Sequence, residues 1–289
     1  MPYLKIEYSE EQSIMKIKED VFRIRNLLTI LCGEALTLTS FSFDSEDRDI
    51  VGNAVPIKGK FYFSQLTVSR EYKQFMSAYE YNDIINNFSN ILTNYFKSYT
   101  KLQPIVQNIT INTAMKNLAE TQFNDAITSL EVYHREFYKE HEETTVEKET
   151  TKREILSLID ELHENEYERN ELKNIVKEID RVNLTKRVKQ LLKDMPGNLK
   201  EEIIFQDLDF SKNKVVSDFA YKCSSTRNYH AHGSKNPKNN IYETIDLIHL
   251  TKILNLVSEF YLMKQIGLDS EVIIKGLFNK KSHQVVLAV

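Results

Sequence analysis

Between residues 11 and 31, apolar side chains recur every third or fourth position, at Ile14, Ile17, Val21, Ile24, Leu28 and Leu31. That spacing keeps them on one stripe and predicts an amphipathic helix. From Ala35 to Phe43 the period shortens. Leu36, Leu38, Phe41 and Phe43 alternate imperfectly with Thr and Ser, which predicts a strand. A polar loop is expected at 44–49, followed by a second and third strand over 50–68, with Pro56 and Gly59 marking breaks. Residues 1–75 therefore read as a small α+β element. One helix and three short strands make a thin core, so the element is expected to pack on the rest of the chain or to be the remnant of a larger β-rich domain.

From about Glu80 the period stays helical. Ile84, Ile85, Phe88, Ile91, Leu92, Tyr95 and Phe96 share a face of a helix predicted over 81–99. A long helix is predicted over 104–140, with Pro104 in its first turn and a stripe of Ala114, Leu118, Phe123, Ile127, Leu130, Tyr133 and Phe137. Residues 141–151, acidic and rich in Thr, read as a mobile connection. Further helices are predicted at 152–165, 168–180 and 184–194, and Met195-Pro196-Gly197-Asn198 is a break. A short helix at 198–206 leads to one at 211–230. A loop at 233–240 leads to the last long helix, 241–266, which carries Ile245, Ile248, Leu254, Val257, Phe260 and Tyr261. The expected fold class is mainly α: a helical bundle over 76–289 behind the small α+β element.

Composition agrees with long helices, because 289 residues contain only 7 Gly and 5 Pro to make turns. The two cysteines, Cys32 and Cys223, form no disulfide framework and lack metal-ligand spacing, which points to a reducing, cytoplasmic setting. The N-terminus has no apolar core of the kind a secretory leader carries. The longest mostly apolar stretch, 27–38, is interrupted by Gly33 and Glu34 and is too short to span a bilayer, so no membrane partner is expected.

The net charge of −4 hides an asymmetry. Residues 131–171 hold 6 Lys/Arg against 14 Asp/Glu, a net of −8, while 184–238 hold 11 against 6, a net of +5. The basic segment can attract a nucleic-acid backbone; the two can equally be solvated helix faces that pair with each other.

Within the basic segment lies Arg227-Asn228-Tyr229-His230-Ala231-His232. An imidazole moves protons near neutral pH, a guanidinium holds a phosphate through forked hydrogen bonds, and an amide orients either. These side chains suit cleavage of RNA without a metal. Val216, Ala220 and Cys223 form an apolar stripe that leads into Arg227, whose ordinary role there is an ion pair with an acid. Five residues of regular helix turn through 500°, which places Arg227 and His232 about 140° apart. Either the final turn unwinds, or two chains compose the site across a two-fold axis. Asn228 and His232, four apart, share a face, and Gly233 is suited to a left-handed cap. His230 can assist in binding RNA or be an ordinary surface histidine. Lys235 and Lys238, just beyond, can touch the RNA backbone or simply be solvated. Neither Glu161-Leu162-His163-Glu164 nor His141-Glu142-Glu143 reads as a metal site, no glycine-rich phosphate loop exists, and no cofactor is expected.

The Arg227-Asn228-x-x-x-His232 pattern, after an amphipathic helix and before a long one, resembles the signature of HEPN domains, whose motif is Arg, four to six residues, then His. Phe123 to Arg135, with Glu131 and His134, resembles the first core helix of the Apea-like HEPN group. The N-terminal helix and strands look like the end of that group's β-rich N-terminal domain. The resemblance implies an all-α domain and a metal-independent endoribonuclease, usually homodimeric, in antiphage defence or toxin systems. It implies Arg227 and His232 as the catalytic pair and Asn228 as their polar support. A regulatory partner or phage-derived trigger would set its activity. Relatives controlled by adenylylation carry a Tyr two positions after the motif His, where this chain has Ser234. Two other readings stay open: a non-catalytic dimerisation or nucleotide-sensing module, and a toxin held inactive by a partner. Glu131 and His134 would line the site if the long helix packs against the motif helix; their ordinary role is structural packing.

Overall fold

Serine 13 opens the first helix by accepting the Lys16 N–H on its side chain, and α1 then runs Ile14–Cys32. The computed structural model describes residues 4–48, 50–62, 77–114, 117–138, 146–162, 165–178, 182–200, 208–233 and 241–286. Helix α1 ends at Gly33, whose φ of 77° is the left-handed conformation that lets its N–H reach the carbonyls of Thr29 and Ile30. The chain returns to the same helix end at Ala78 and Tyr79, whose N–H groups donate to Cys32 and Leu31 at 3.0 Å.

The strands differ in extent from the sequence expectation. β1 is Phe41–Arg48 and β2 is Ala54–Phe61, an antiparallel hairpin in which Phe41 faces Phe61 and Phe43 faces Gly59. The expected polar loop at 44–49 is thus mostly strand, because backbone pairing with β2 continues through the acidic residues. The ring of Phe43 lies over Gly59, where a Cβ would come within 2.1 Å of it. The rest of the expected third strand, from residue 63 on, lies outside the described residues.

A short helix, α2 (Tyr81–Ile84), and one 3-10 turn lead into α3, Phe88–Ala114. Here Pro104 sits inside a helix instead of opening one. The stripe of Ile91, Tyr95, Tyr99, Leu102, Ile105 and Ile109 is buried on both sides of it, and that packing outweighs the one ladder hydrogen bond proline removes. The break falls later, before α4, Ala119–Phe137. Two acidic helices, α5 (Val146–Leu162) and α6 (Glu166–Glu178), pack on each other as a hairpin. Next comes α7, Leu184–Asp194, opened by Asn183 accepting the Lys186 N–H at 2.9 Å. The expected short helix at 198–206 lies mostly outside the described residues. The chain continues as α8 (Asn213–His232) and α9 (Thr244–Gln265). A helix that the sequence reading lacks, α10, covers Ser270–Val286.

The protein is mainly α. Helix α9 is apolar nearly all round and forms the centre, against α3, α4 and α10; α7 and α8 pack on each other and on α4, and α1 packs on α3. Leu27, Ile30 and Leu31 of α1 belong to the same hydrophobic cluster as Tyr95, Phe123, Phe260 and Tyr261. Polar ties cross this core. Tyr95 donates to the Arg23 carbonyl at 3.0 Å, Asn108 to Asn255 at 2.9 Å, and the Tyr261 hydroxyl to the Leu191 carbonyl. Glu259, only 1% exposed on α9, pairs with Lys280 of α10 and accepts the Tyr79 hydroxyl at 3.2 Å. No helix among the described residues is long and apolar enough to cross a membrane.

Candidate active site

The apolar stripe read from the sequence holds α8 in place. Val216, Phe219, Ala220 and Cys223 are all at most 3% exposed. Burial pushes the Cys223 thiol far above its usual range. One turn on, Thr226 is fully buried, and its hydroxyl donates to the Lys222 carbonyl at 2.7 Å while accepting the Tyr242 N–H at 2.9 Å. Lys222 lies over the Tyr242 ring, 4.1 Å from its centroid. Tyr242 therefore pins the start of the α9 segment to the last turns of α8.

Arg227 sits at the margin of this packing, half-buried. Its Nη1 donates to the Asn228 side-chain oxygen at 3.2 Å. No carboxylate of the described residues pairs with it. Asn228 and Tyr229 are exposed.

Helix α8 stays regular to its end. It closes on Gly233 with φ 60° and ψ 25°, and the Gly233 N–H donates to the Tyr229 carbonyl at 2.9 Å, the ordinary spacing of an α-turn. The left-handed cap expected at Gly233 is present, and the final turn does not unwind. Five residues of such a helix set the positions of Arg227 and His232 about 140° apart, and Asn228 shares a stripe with the His232 position. Lys235, Lys238 and Ser234 lie outside the described residues.

His230 points elsewhere. Its ring is half-buried, edge-on to Tyr229 with centroids 5.2 Å apart, and its Nε2 is closed off from solvent without a hydrogen-bond partner. That is not the setting of an ordinary surface imidazole. Its electrostatic neighbour is Glu120, in the first turn of α4. The Glu120 carboxylate is held below its usual range by its own backbone N–H, by Thr244 donating at 3.1 Å, and by the charge of His230. Three helix ends thus meet at the motif: the last turn of α8 and the first turns of α4 and α9. Glu120, Thr226, Tyr242 and Thr244 carry that junction, and the sequence reading missed all four. Only the start of α4 would have exposed Glu120 as a first-turn acid.

His134 has no part in this junction. It is fully buried on the inner face of α4, stacks on Tyr138 at 4.9 Å, and shares a 2.9 Å hydrogen bond with Gln190 of α7. Its role is packing. Among the described residues no three His, Cys, Asp or Glu side chains gather as metal ligands.

The arrangement offers a guanidinium that no described carboxylate pairs, steadied by an amide, with an imidazole-bearing position on the next turn, at the end of the helix. Such a group can receive an anionic phosphate ester. The sequence matches Apea-like HEPN over residues 125–272, a span that contains all of α8, and ApeA N-terminal domain 1 over residues 1–95. No curated protein and no solved structure matches it. The first match covers just over half of the 289 residues, and the chain belongs to the Apea-like HEPN family.

Proposed function

We propose that this protein is a metal-independent endoribonuclease of antiphage defence, and that the last two turns of α8 are its catalytic element. The observation that carries the proposal is Arg227: a half-buried cation that no described carboxylate neutralises, held by Asn228 at 3.2 Å. A charge kept partly dry without a partner is costly unless an anion arrives to pair with it.

In the proposed reaction a ribose 2′-hydroxyl attacks the adjacent phosphorus, and the bond to the 5′-oxygen breaks. His232 takes the hydroxyl proton or supplies one to the departing oxygen. Arg227 stabilises the charge that builds on the phosphoryl oxygens, and Asn228 keeps the guanidinium oriented. The products are a 2′,3′-cyclic phosphate and a 5′-hydroxyl.

A regular helix cannot turn Arg227 and His232 toward one phosphate, so the site is proposed to be shared by two chains, with Arg and His from each meeting across a two-fold axis. Exposed apolar residues beside the motif support this. Leu118 at the start of α4 is 75% exposed, and Ile245 and Ile248 in the first turns of α9 are 72% and 50% exposed. Apolar groups gathered at a junction of helix ends fit an interface centre better than open solvent.

The test is cleavage of end-labelled single-stranded RNA in EDTA by the parent, Arg227→Ala and His232→Ala. Cleavage by the parent alone, with cyclic-phosphate ends, is expected. Loss of parental cleavage in EDTA would overturn metal independence. Cleavage retained by both variants would remove the motif from the chemistry. A parent that neither cuts RNA nor arrests growth when expressed would leave a binding module in place of an enzyme.

A further inference from the structure

One stripe of α8 faces solvent and runs into the motif. Lys214, Asp218, Tyr221, Ser225, Asn228 and the His232 position follow each other at alternating steps of four and three residues. Such steps keep residues on one side of a helix, drifting only about 20° per seven residues. Lys214, Asp218, Tyr221 and Asn228 are exposed, and Ser225 is half-buried. Tyr221 is half exposed, at 50%, and makes no hydrogen bond or ring contact with any described residue. Its ring stands two turns before Asn228, about 10.5 Å along the helix axis.

We propose that Tyr221 is a base-stacking residue and that this stripe guides single-stranded RNA to the motif. The inference rests on the ribonuclease reading and deepens it by naming the form of substrate. A free aromatic face binds an unstacked base whatever its identity, whereas bases inside a duplex are already stacked and out of reach. Lys214 lies a further seven residues back on the same stripe and supplies a cation for the backbone. The order along the helix is then cation, aromatic ring, catalytic turn.

The polarity of the stripe favours RNA over a second copy of the chain as its occupant. Lys214, Asp218, Ser225 and Asn228 surround one ring, whereas the centre of a chain–chain interface is depleted in charge and apolar. The exposed apolar residues beside the motif, Leu118, Ile245 and Ile248, belong to α4 and α9 instead.

The experiment measures binding of a fluorescein-labelled single-stranded RNA by anisotropy, in a His232→Ala background so that nothing is cut. Replacement of Tyr221 by Ala is expected to weaken binding about 5- to 150-fold, the worth of one stacked base. Tyr221→Phe keeps the ring and is expected to bind like its parent. The same RNA annealed to its complement is expected to bind equally well with or without the Tyr221→Ala change. Unchanged single-strand binding by Tyr221→Ala overturns the proposal. So does a Tyr221→Ala protein that light scattering shows to have lost its dimer, since the ring then faces a second copy. If the His232→Ala parent binds no RNA and the wild type cuts none, the ribonuclease reading fails first and the stacking role falls with it.

Discussion

Removing Lys280 isolates one of the few charges buried in the core. Glu259 is 1% exposed in the centre of α9, and its partners are the Lys280 ammonium and the Tyr79 hydroxyl, which donates at 3.2 Å. Burial together with the adjacent carboxylate pushes the Tyr79 phenol well above its usual range, so it stays a donor at any working pH. In Lys280→Met the carboxylate keeps only that one hydrogen bond. Breaking a buried pair from one side costs about 3–5 kcal/mol. The Lys280 side chain is itself 11% exposed, so part of its charge is already hydrated, and the lower figure of about 3 kcal/mol applies. For a chain of this size that corresponds to roughly 6 °C in Tm. The double variant Glu259→Met/Lys280→Met removes both charges. It is expected to recover most of the loss and to retain a deficit of about 1–2 kcal/mol, because the Tyr79 hydroxyl loses its acceptor. Urea and thermal melts of the parent, both single variants and the double variant close the thermodynamic cycle. A Lys280→Met protein within about 1 kcal/mol of the parent would refute the reasoning. A double variant no more stable than Lys280→Met would do the same.

Gly276 lies against the same tyrosine: a Cβ there would stand 2.3 Å from the Tyr79 ring. Gly276→Ala should therefore lose about 1–3 kcal/mol in a thermal melt, where the same change in an open helix gains about 0.5–1 kcal/mol. Arg227→Ala, by contrast, is expected to stay within about 0.5 kcal/mol of the parent in urea, since its one described hydrogen bond is exposed, while cleavage is lost. Cys223, buried with its thiol held protonated, should resist a thiol reagent in the native protein and react once urea unfolds it; rapid native labelling would contradict its placement. Glu120 titrates below its usual 4.5 in the folded state, so its stabilising contribution is present above that value and is lost as the pH falls through the depressed one. Glu120→Gln should then be less stable than the parent at neutral pH, with the gap closing on acidification, a trend that melts at a series of pH values would follow.

Helix α8 was legible because one local pattern specifies it: Val216, Ala220 and Cys223 bury one face, and Gly233 supplies the left-handed end. The family resemblance rested on the same stretch and on the α4 residues around Glu131. The boundary between α3 and α4 was not legible. Pro104 favours a helix start when only neighbours in sequence are weighed, and the packing of Leu102, Ile105 and Ile109 against the rest of the core reverses that preference. Helix α10 escaped notice because Gly276 interrupts it and Phe278, at 57% exposure, blurs the stripe of Ile273 and Leu277. The junction of Glu120 with Thr244 joins residues 124 positions apart, and no spacing within the chain records such a pair. The acidic helices α5 and α6 fold on each other, while basic α7 and α8 pack on α4.

The most direct measurement uses a mixed dimer of one Arg227→Ala chain and one His232→Ala chain, co-expressed with different tags and assayed on single-stranded RNA in EDTA. Each variant alone is expected to be inactive. The mixed dimer is expected to cut, because one intact Arg227 and one intact His232 still face each other across the axis. A mixed dimer as inactive as either variant, beside an active wild type, would contradict the shared site and place Arg227 and His232 of one chain together. Variants that cut as well as the wild type would contradict the catalytic role of the motif itself.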